Sequence, residues 1–576
     1  MCASRTSSSP GEATSRAGAA VLALLATTQF LMTVDTTVMN VSISALVADL
    51  DTTVIAIQAV ITAYTLIMAA SMITGGKLGD LLGRRRALRL GLVVYAAGSG
   101  LTALSPNVIV LFIGWSVLEG LGAALIMPTV TSLIAGNFTG KLRARAYGVI
   151  AASAAGAVAA GPIIGGFVTA NFSWRWVFAT EVLIAAVIFI GSTRVPDVLV
   201  EHRPKFDGIG ALLSAAGLAM IVFGVLQSSS WGWVAPRTPS GPEATPHLAG
   251  ISLTAWLIAG GVFVLWLFVL WINRRKNRGR APLFEPSLLD DRVLRGGLSV
   301  LLTQYLVSSG VFFIVPLYLS IVLGLDAFET GLRLLPLSLA LILVAPAVPR
   351  FAPNASPRRV ARVGLLLMVG AAVLLALLLD ETNADAGIVT VPFLLLGAGL
   401  GLLASQLGNV IVSSQPVELS GEVGGLQYTS QNLGASLGTA LVGAVVLGTL
   451  ATQLLTGIEE SPDVSDAVEQ AASVRLEAGA EFVSDAQLTA ALAETSLASE
   501  EQDAIIAANA DARIKALQFG MIAVAFVALL GLFFTSRIPH QPIASPNAGR
   551  GLPQSPAGRD RDQAPSKRVP SDRGEP

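Results

Sequence analysis

The sequence predicts an all-α polytopic membrane protein with fourteen transmembrane helices. Composition, apolar windows and the placement of basic residues carry that prediction. Of 576 residues, 53% are hydrophobic and only 13% charged, with a mean hydropathy of +0.68. A soluble domain carries about 25% charged residues, so this chain has too little polar surface to cover a globule. A net charge of −1 gives no pull toward nucleic acid, which is not an expected partner. The 57 glycines suit helices that approach closely in a bilayer. The single cysteine, Cys2, excludes an internal disulfide or a cysteine metal centre.

Crossing a bilayer takes roughly 20 apolar residues. Windows of that kind run at 17–47, 54–75, 88–104, 108–135, 146–170, 176–193, 208–227, 250–272, 296–323, 331–349, 360–379, 386–412, 423–450 and 516–535. The tenth contains Pro336 and Pro346, tolerated at membrane depth where neighbouring helices satisfy the freed backbone groups. A count of twelve or thirteen follows if a proline-bearing stretch is re-entrant. The first window resembles a signal peptide, but thirteen more spans follow and no clear cleavage site closes it.

Basic residues test the count, because Lys and Arg collect in cytoplasmic loops. With both termini inside, the even-numbered loops hold 22 of the 37 and the odd-numbered loops 6. The dense clusters are Lys77 to Arg89, Arg274 to Arg295 and Arg350 to Arg362. The parity of the count is therefore fixed better than any boundary. The expected location is a cell (inner or plasma) membrane.

Two segments stand apart. Residues 452–515 form an acidic extracytoplasmic loop with 13 acidic and 3 basic residues. Short amphipathic helices such as Val468 to Ala480 are expected in it. It reads as a solvated insertion; a partner-binding cap is the alternative. The tail at 536–576 is rich in Pro, Ser, Gly and Arg and is expected to be disordered and cytoplasmic. Residues 1–16 form the cytoplasmic N-terminal tail.

The most informative loop is GKLGDLLGRRRAL, Gly76 to Leu88. Gly76, Gly79 and Gly83 permit a reversal and close helix approach. Asp80 at the membrane edge can cap a helix N-terminus or pair with an arginine. Arg84, Arg85 and Arg86 are expected to anchor to headgroups. The spacing suggests a latch between helix bundles.

This loop is similar to the signature loop between helices 2 and 3 of the major facilitator superfamily. VDTTVMNVSI (Val34 to Ile43), GAVAAGPIIGG (Gly156 to Gly166) and SWRWVF (Ser173 to Phe178) resemble motifs of its fourteen-helix drug:proton antiporters of EmrB/QacA type. FDGIGALL at 206–213 and WGW at 231–233 extend the likeness. The resemblance implies six-helix bundles at 17–193 and 296–535. Between them, 194–295 would hold a cytoplasmic loop and two linking helices. It also implies alternating access by rocking of the bundles.

In the fifth window, Gly161 and Pro162 predict a kink, and Gly156, Gly165 and Gly166 predict tight packing. The reading is an antiporter-type hinge or gate; ordinary small-residue packing is the alternative. Asp35, Glu119 and Glu181 are the acidic groups inside apolar windows. Buried charge is costly unless protonated, paired or hydrated, so they are candidates for proton coupling or cation contact. Alternatives are a polar knot of Asp35 with Thr36, Thr37 and Asn40, and hydration of Glu181 near the Trp174/Trp176 belt.

Here the chain departs from the family pattern. The resemblance leads one to expect an arginine and a glutamine in the fourth helix where SVLEGLGAA places Ser116 and Glu119. Glu181 replaces an expected asparagine. Without a buried arginine, Asp35 and Glu119 have no obvious counter-charge, which favours proton uptake. The carboxylates could also attract cationic substrates. Asn40, Gln304, Tyr305, Gln427 and Gln431 are candidate cavity-lining residues.

No P-loop, metal cluster or catalytic constellation appears, so neither an enzyme nor a cofactor is expected. The leading reading is a secondary active transporter: proton-coupled efflux of drugs or other amphipathic or cationic small molecules. Its partners are a small-molecule substrate, protons and the lipid bilayer, and it is expected to work as a monomer. One alternative is an exporter of an endogenous lipid or metabolite, or an uncoupled facilitator. Another is a non-transporting receptor or scaffold acting through the acidic loop.

Overall fold

The computed structural model describes residues 10–541 apart from 40–42, 53, 198–205, 237–244, 326, 381–388, 463, 466–467, 470–471, 473–481 and 496. Each apolar window becomes a helix. In chain order these are α1 (Pro10–Val38), α2 (Val54–Leu82), α3 (Arg84–Ala103), α4 (Val108–Asn137), α5 (Gly140–Asn171), α6 (Arg175–Gly191) and α7 (Gly208–Trp231). They continue as α8 (Leu253–Asn277), α9 (Arg292–Val322), α10 (Leu335–Phe351), α11 (Pro357–Leu378), α12 (Thr390–Ser413), α13 (Ser420–Glu459) and α14 (Ser499–Phe534).

Among the described residues, thirteen helices are long and apolar enough to cross a membrane. The fourteenth, α3, falls short because Arg84, Arg85, Arg86 and Arg89 occupy its first two turns. It nevertheless packs between α4 and α6, in line with its neighbours. The first window is shorter than expected: α1 stops at Val38, and a separate helix, Ile43–Asp49, follows. The proline-bearing α10 stays helical, with Pro336 at its first turn and Pro346 and Pro349 inside.

Local signals place the helix starts. The side chains of Asn107, Asp207, Asp291 and Ser356 accept the first free backbone N–H groups of α4, α7, α9 and α11. Asp207 also accepts from Trp271 Nε1 at 3.1 Å, which ties α7 to α8. A two-residue turn, Ala249-Gly250, closes a small hairpin of His247–Leu248 on Ile251–Ser252, both turn residues having positive φ.

Contacts sort the helices. α1 packs on α5, α2 on α4, and α3 on α4 and α6. Separately, α9 packs on α13, α12 on α10 and α11, and α14 on α11 and α13. The two sets meet through α2 and α4 on α13, and through α5 on α10 and α12. α7 and α8 pair with each other at the side, against α2 and α13. Polarity is inverted relative to a soluble protein. Leu212, Val187, Leu377 and Phe533 are exposed on helix faces, whereas Asp35, Glu119 and Glu181 are buried.

Only part of the 452–515 segment is described. α13 and α14 run into it from both sides, and a capped helix, Asp485–Ala493, lies on α14. Arg513 donates to Val483 O at 2.9 Å and to Asp485 at 2.5 Å. Most of the expected 468–480 helix, and residues 542–576, lie outside the described residues.

Candidate functional site

Asp35 on α1, Glu119 on α4 and Glu181 on α6 come together. They are 1%, 0% and 2% exposed, and one carboxylate oxygen from each lies within 4.8 Å of the others. Sequence alone placed them in separate helices. The crossing of α3 and α4 assembles them. A Cβ on Gly98 would lie 2.7 Å from Gly114 O, and one on Gly114 would lie 2.6 Å from Thr102 Oγ1. The two backbones therefore touch, which only glycine allows.

That contact makes α3 the donor helix of the cluster. Thr102 Oγ1 donates to Glu119 Oε1 at 3.3 Å, and Tyr95 OH donates to Glu181 Oε2 at 3.0 Å. Ser99 Oγ stands 3.5 Å from the same Glu181 oxygen. Trp115 Nε1 donates to Asp35 Oδ1 at 3.0 Å. Trp115 is held in turn by a stacked Tyr64, at 5.3 Å, and an edge-on Phe178. Trp115, Ser116 and Glu119 lie in a π-helical stretch of α4, Phe112–Glu119, a conformation frequent at functional sites.

Each carboxylate keeps one buried oxygen unpartnered: Asp35 Oδ2, Glu119 Oε2 and Glu181 Oε1. Among the described residues no cation pairs with any of them; their donors are neutral. Ser116 supplies no charge, and its hydroxyl donates to Val60 O at 2.8 Å. Thr36 and Thr37 donate to backbone carbonyls of their own helix rather than to Asp35, and Asn40 lies outside the described residues. Glu181 is buried beside α3 rather than hydrated at a vestibule.

The 76–88 stretch differs from expectation. It is helix on both sides of a single break, Gly83, at φ +91. Arg84 does not reach outward: it is fully buried, donates to Ser132 O at 3.1 Å and to Val417 O, and pairs with Asp80 at 3.5 Å. Arg85 instead holds Asp197 through its backbone N–H, and only Arg86 of the three is exposed. Gly79 leaves room for Thr129 Oγ1, 3.0 Å from where a Cβ would stand.

Asp80 lies at the start of α13, where a Cβ on Gly421 would meet its carboxylate, so the positive end of that helix faces a negative group. Gly76 touches Gly421 O so closely that no side chain fits. Lys77 Nζ pairs with Glu422 at 2.5 Å, both buried. Arg143 donates to Ser413 Oγ at 3.2 Å and to Ala135 O at 2.8 Å. Helices of the two sets are thus pinned together at the arginine-rich end. Sequence reasoning did not single out Arg143 and Glu422, and it placed Lys77 in the latch stretch without its partner, Glu422, which is 345 residues away.

In α5, close approach occurs at Gly161 and Gly148, not throughout the motif. A Cβ on Gly161 would overlap Thr37 of α1, and one on Gly148 would lie 2.9 Å from Ala345 O of α10. Gly156 has ordinary space and Gly166 open space around it. α5 runs as one helix through Gly161 and Gly165; the Pro162 side chain lies outside the described residues.

A partly open cavity lies where the two helix sets face each other. Gln304 and Tyr305 of α9 and Gln427, Tyr428 and Gln431 of α13 line it, with Gln29 of α1 and Tyr147 of α5. The three carboxylates are not among its lining residues.

A chain of long apolar helices in two facing sets, with a polar cavity between them and a latch at one end, is a multi-pass membrane transporter rather than an enzyme. The chain belongs to the major facilitator superfamily, whose family model matches residues 25–204 and 208–439. Over 72% of this chain and 73% of the relative, it is 31% identical to a tetracenomycin C resistance and export protein of Streptomyces glaucescens. It is 29% identical to a probable actinorhodin transporter of Streptomyces coelicolor, over 77% of this chain and 74% of that one. The multidrug efflux pump LfrA of Mycolicibacterium smegmatis is 28% identical over 74% of this chain and 80% of its own. The fold matches the proton:xylose symporter XylE, with a TM-score of 0.55, 12% identity, and coverage of 93% of this chain and 99% of that one.

Proposed function

We propose that this chain is a proton-coupled exporter of drug-like amphipathic molecules, working in the plasma membrane with its arginine-rich end in the cytoplasm. Homology to drug and antibiotic exporters supports the substrate class and the direction. The basic residues support the orientation. The α1–α6 and α9–α14 sets would rock about the central cavity, with α7 and α8 as linkers.

The observation that carries proton coupling is the trio Asp35, Glu119 and Glu181. Three carboxylates within 4.8 Å, buried without a cation, repel one another if all are charged. Protons relieve that repulsion, and exposure to water on one side releases them. The site therefore loads and unloads protons as the bundles move.

The test is efflux from proteoliposomes under an imposed pH gradient. Asp35→Asn with Glu119→Gln is expected to cut gradient-driven efflux about tenfold or more, while downhill substrate exchange persists. Full coupling in that double variant overturns the assignment of the proton path.

A further inference from the structure

The central cavity has a chemistry that the carboxylate trio does not share. None of its lining residues is charged; the wall is amide, phenol and aliphatic. Gln304 and Gln427 line the cavity, are each 8% exposed, and each hold a buried side-chain oxygen with no partner. An unsatisfied buried acceptor is costly, and a bound donor removes the cost. Two of the three lining phenols are committed at their polar ends. Tyr428 OH donates to Gln29 Oε1 at 3.1 Å, and Tyr147 OH donates to Thr131 O at 3.1 Å. That leaves their rings for the cavity. Gly408 keeps the Tyr147 ring close to α12, since a Cβ there would lie 3.1 Å from it.

We infer that this cavity selects uncharged planar aromatic molecules bearing hydroxyl or N–H donors, with Gln304 and Gln427 accepting from them, and that it discriminates against permanent cations. The inference rests on the export reading above and names the substrate class of the same transporter. A cation entering this site would leave its hydration shell and meet no carboxylate. A polyhydroxylated ring system meets two waiting acceptors and aromatic faces.

Binding to the purified full-length protein tests this, using the fluorescence of 2,6-dihydroxynaphthalene, 2,6-dimethoxynaphthalene and ethidium. The dihydroxy compound is expected to bind about tenfold tighter than the dimethoxy compound, which has the same ring and no donor. Gln304→Leu with Gln427→Leu should erase that ratio. Gln304→Glu with Gln427→Glu, which preserves side-chain size, should instead raise ethidium affinity. A wild-type ratio near one, or ethidium binding tighter than the dihydroxy compound, overturns the inference. So does a ratio that survives in both double variants.

Transport separates this inference from the reading beneath it. If a pH gradient drives ethidium out of proteoliposomes while the dihydroxy compound does not bind, the cavity inference fails and export stands. If the binding ratio appears as stated but no gradient moves either compound, export fails and the cavity chemistry stands.

Discussion

Gly161 is the tightest point between α1 and α5. Its hydrogen faces Thr37, and any side chain there must push the two helices apart. Overpacking of this kind costs about 1–3 kcal/mol, here at a helix pair that also positions Asp35. Gly161→Ala is expected to lower both the melting temperature of the purified protein and its efflux rate. Thr37→Ala in the same chain should restore part of each. No recovery would mean that Gly161 acts through something other than space. At this scale the sequence was informative where a residue was out of place. Asp35, Glu119 and Glu181 are charges in apolar windows, so they could be singled out. Tyr95, Ser99, Thr102 and Trp115 could not be. Hydroxyls and indoles are ordinary in membrane helices, and their role depends on which helix they face.

The latch belongs to the scale of elements. Lys77 and Glu422 are 345 residues apart, yet their ion pair fastens α2 to the start of α13. Glu422 also accepts from the backbone N–H of Glu285 at 2.7 Å, so the segment after α8 joins the same knot. Removing one partner of a buried pair leaves an uncompensated charge and costs about 3–5 kcal/mol. Lys77→Met or Glu422→Met alone should therefore lower the melting temperature sharply, and the double variant should recover most of the loss. Additive losses would show that the pair is not coupled. The glycine and arginine spacing of this stretch revealed a latch, but it was read as a loop. The charges at Lys77 and Arg84, between two apolar windows, have partners in or beside another helix and do not mark an end of helical structure. Only Gly83, with its positive φ, breaks the chain.

For the whole molecule, the order of helices was legible because the windows are long and apolar, and thirteen of the fourteen are long and apolar enough to cross a membrane among the described residues. The pairing of helices was not legible, since lipid and protein neighbours select similar side chains. Of the 452–515 segment, 452–459 and 499–515 continue α13 and α14, and the described helix Asp485–Ala493 lies on α14. Replacing 461–498 with a short flexible linker is expected to leave gradient-driven efflux within about twofold of the wild type. Loss of function with efflux intact would instead favour a scaffold role for the loop.

α13 connects these regions in one piece. Its first turn takes part in the latch, its middle supplies Gln427 and Gln431 to the cavity wall, and its far end stands in the acidic loop. At 40 residues it is roughly 60 Å long, twice the thickness of a hydrocarbon core. A rod of that length is a lever with its pivot in the bilayer. If it tilts as a rigid rod, its two ends move in opposite senses, and the end at Glu459 would report on the latch at the other end. A fluorophore or antibody fragment on that tip would sense, or brake, each transport cycle without entering the path of the cargo.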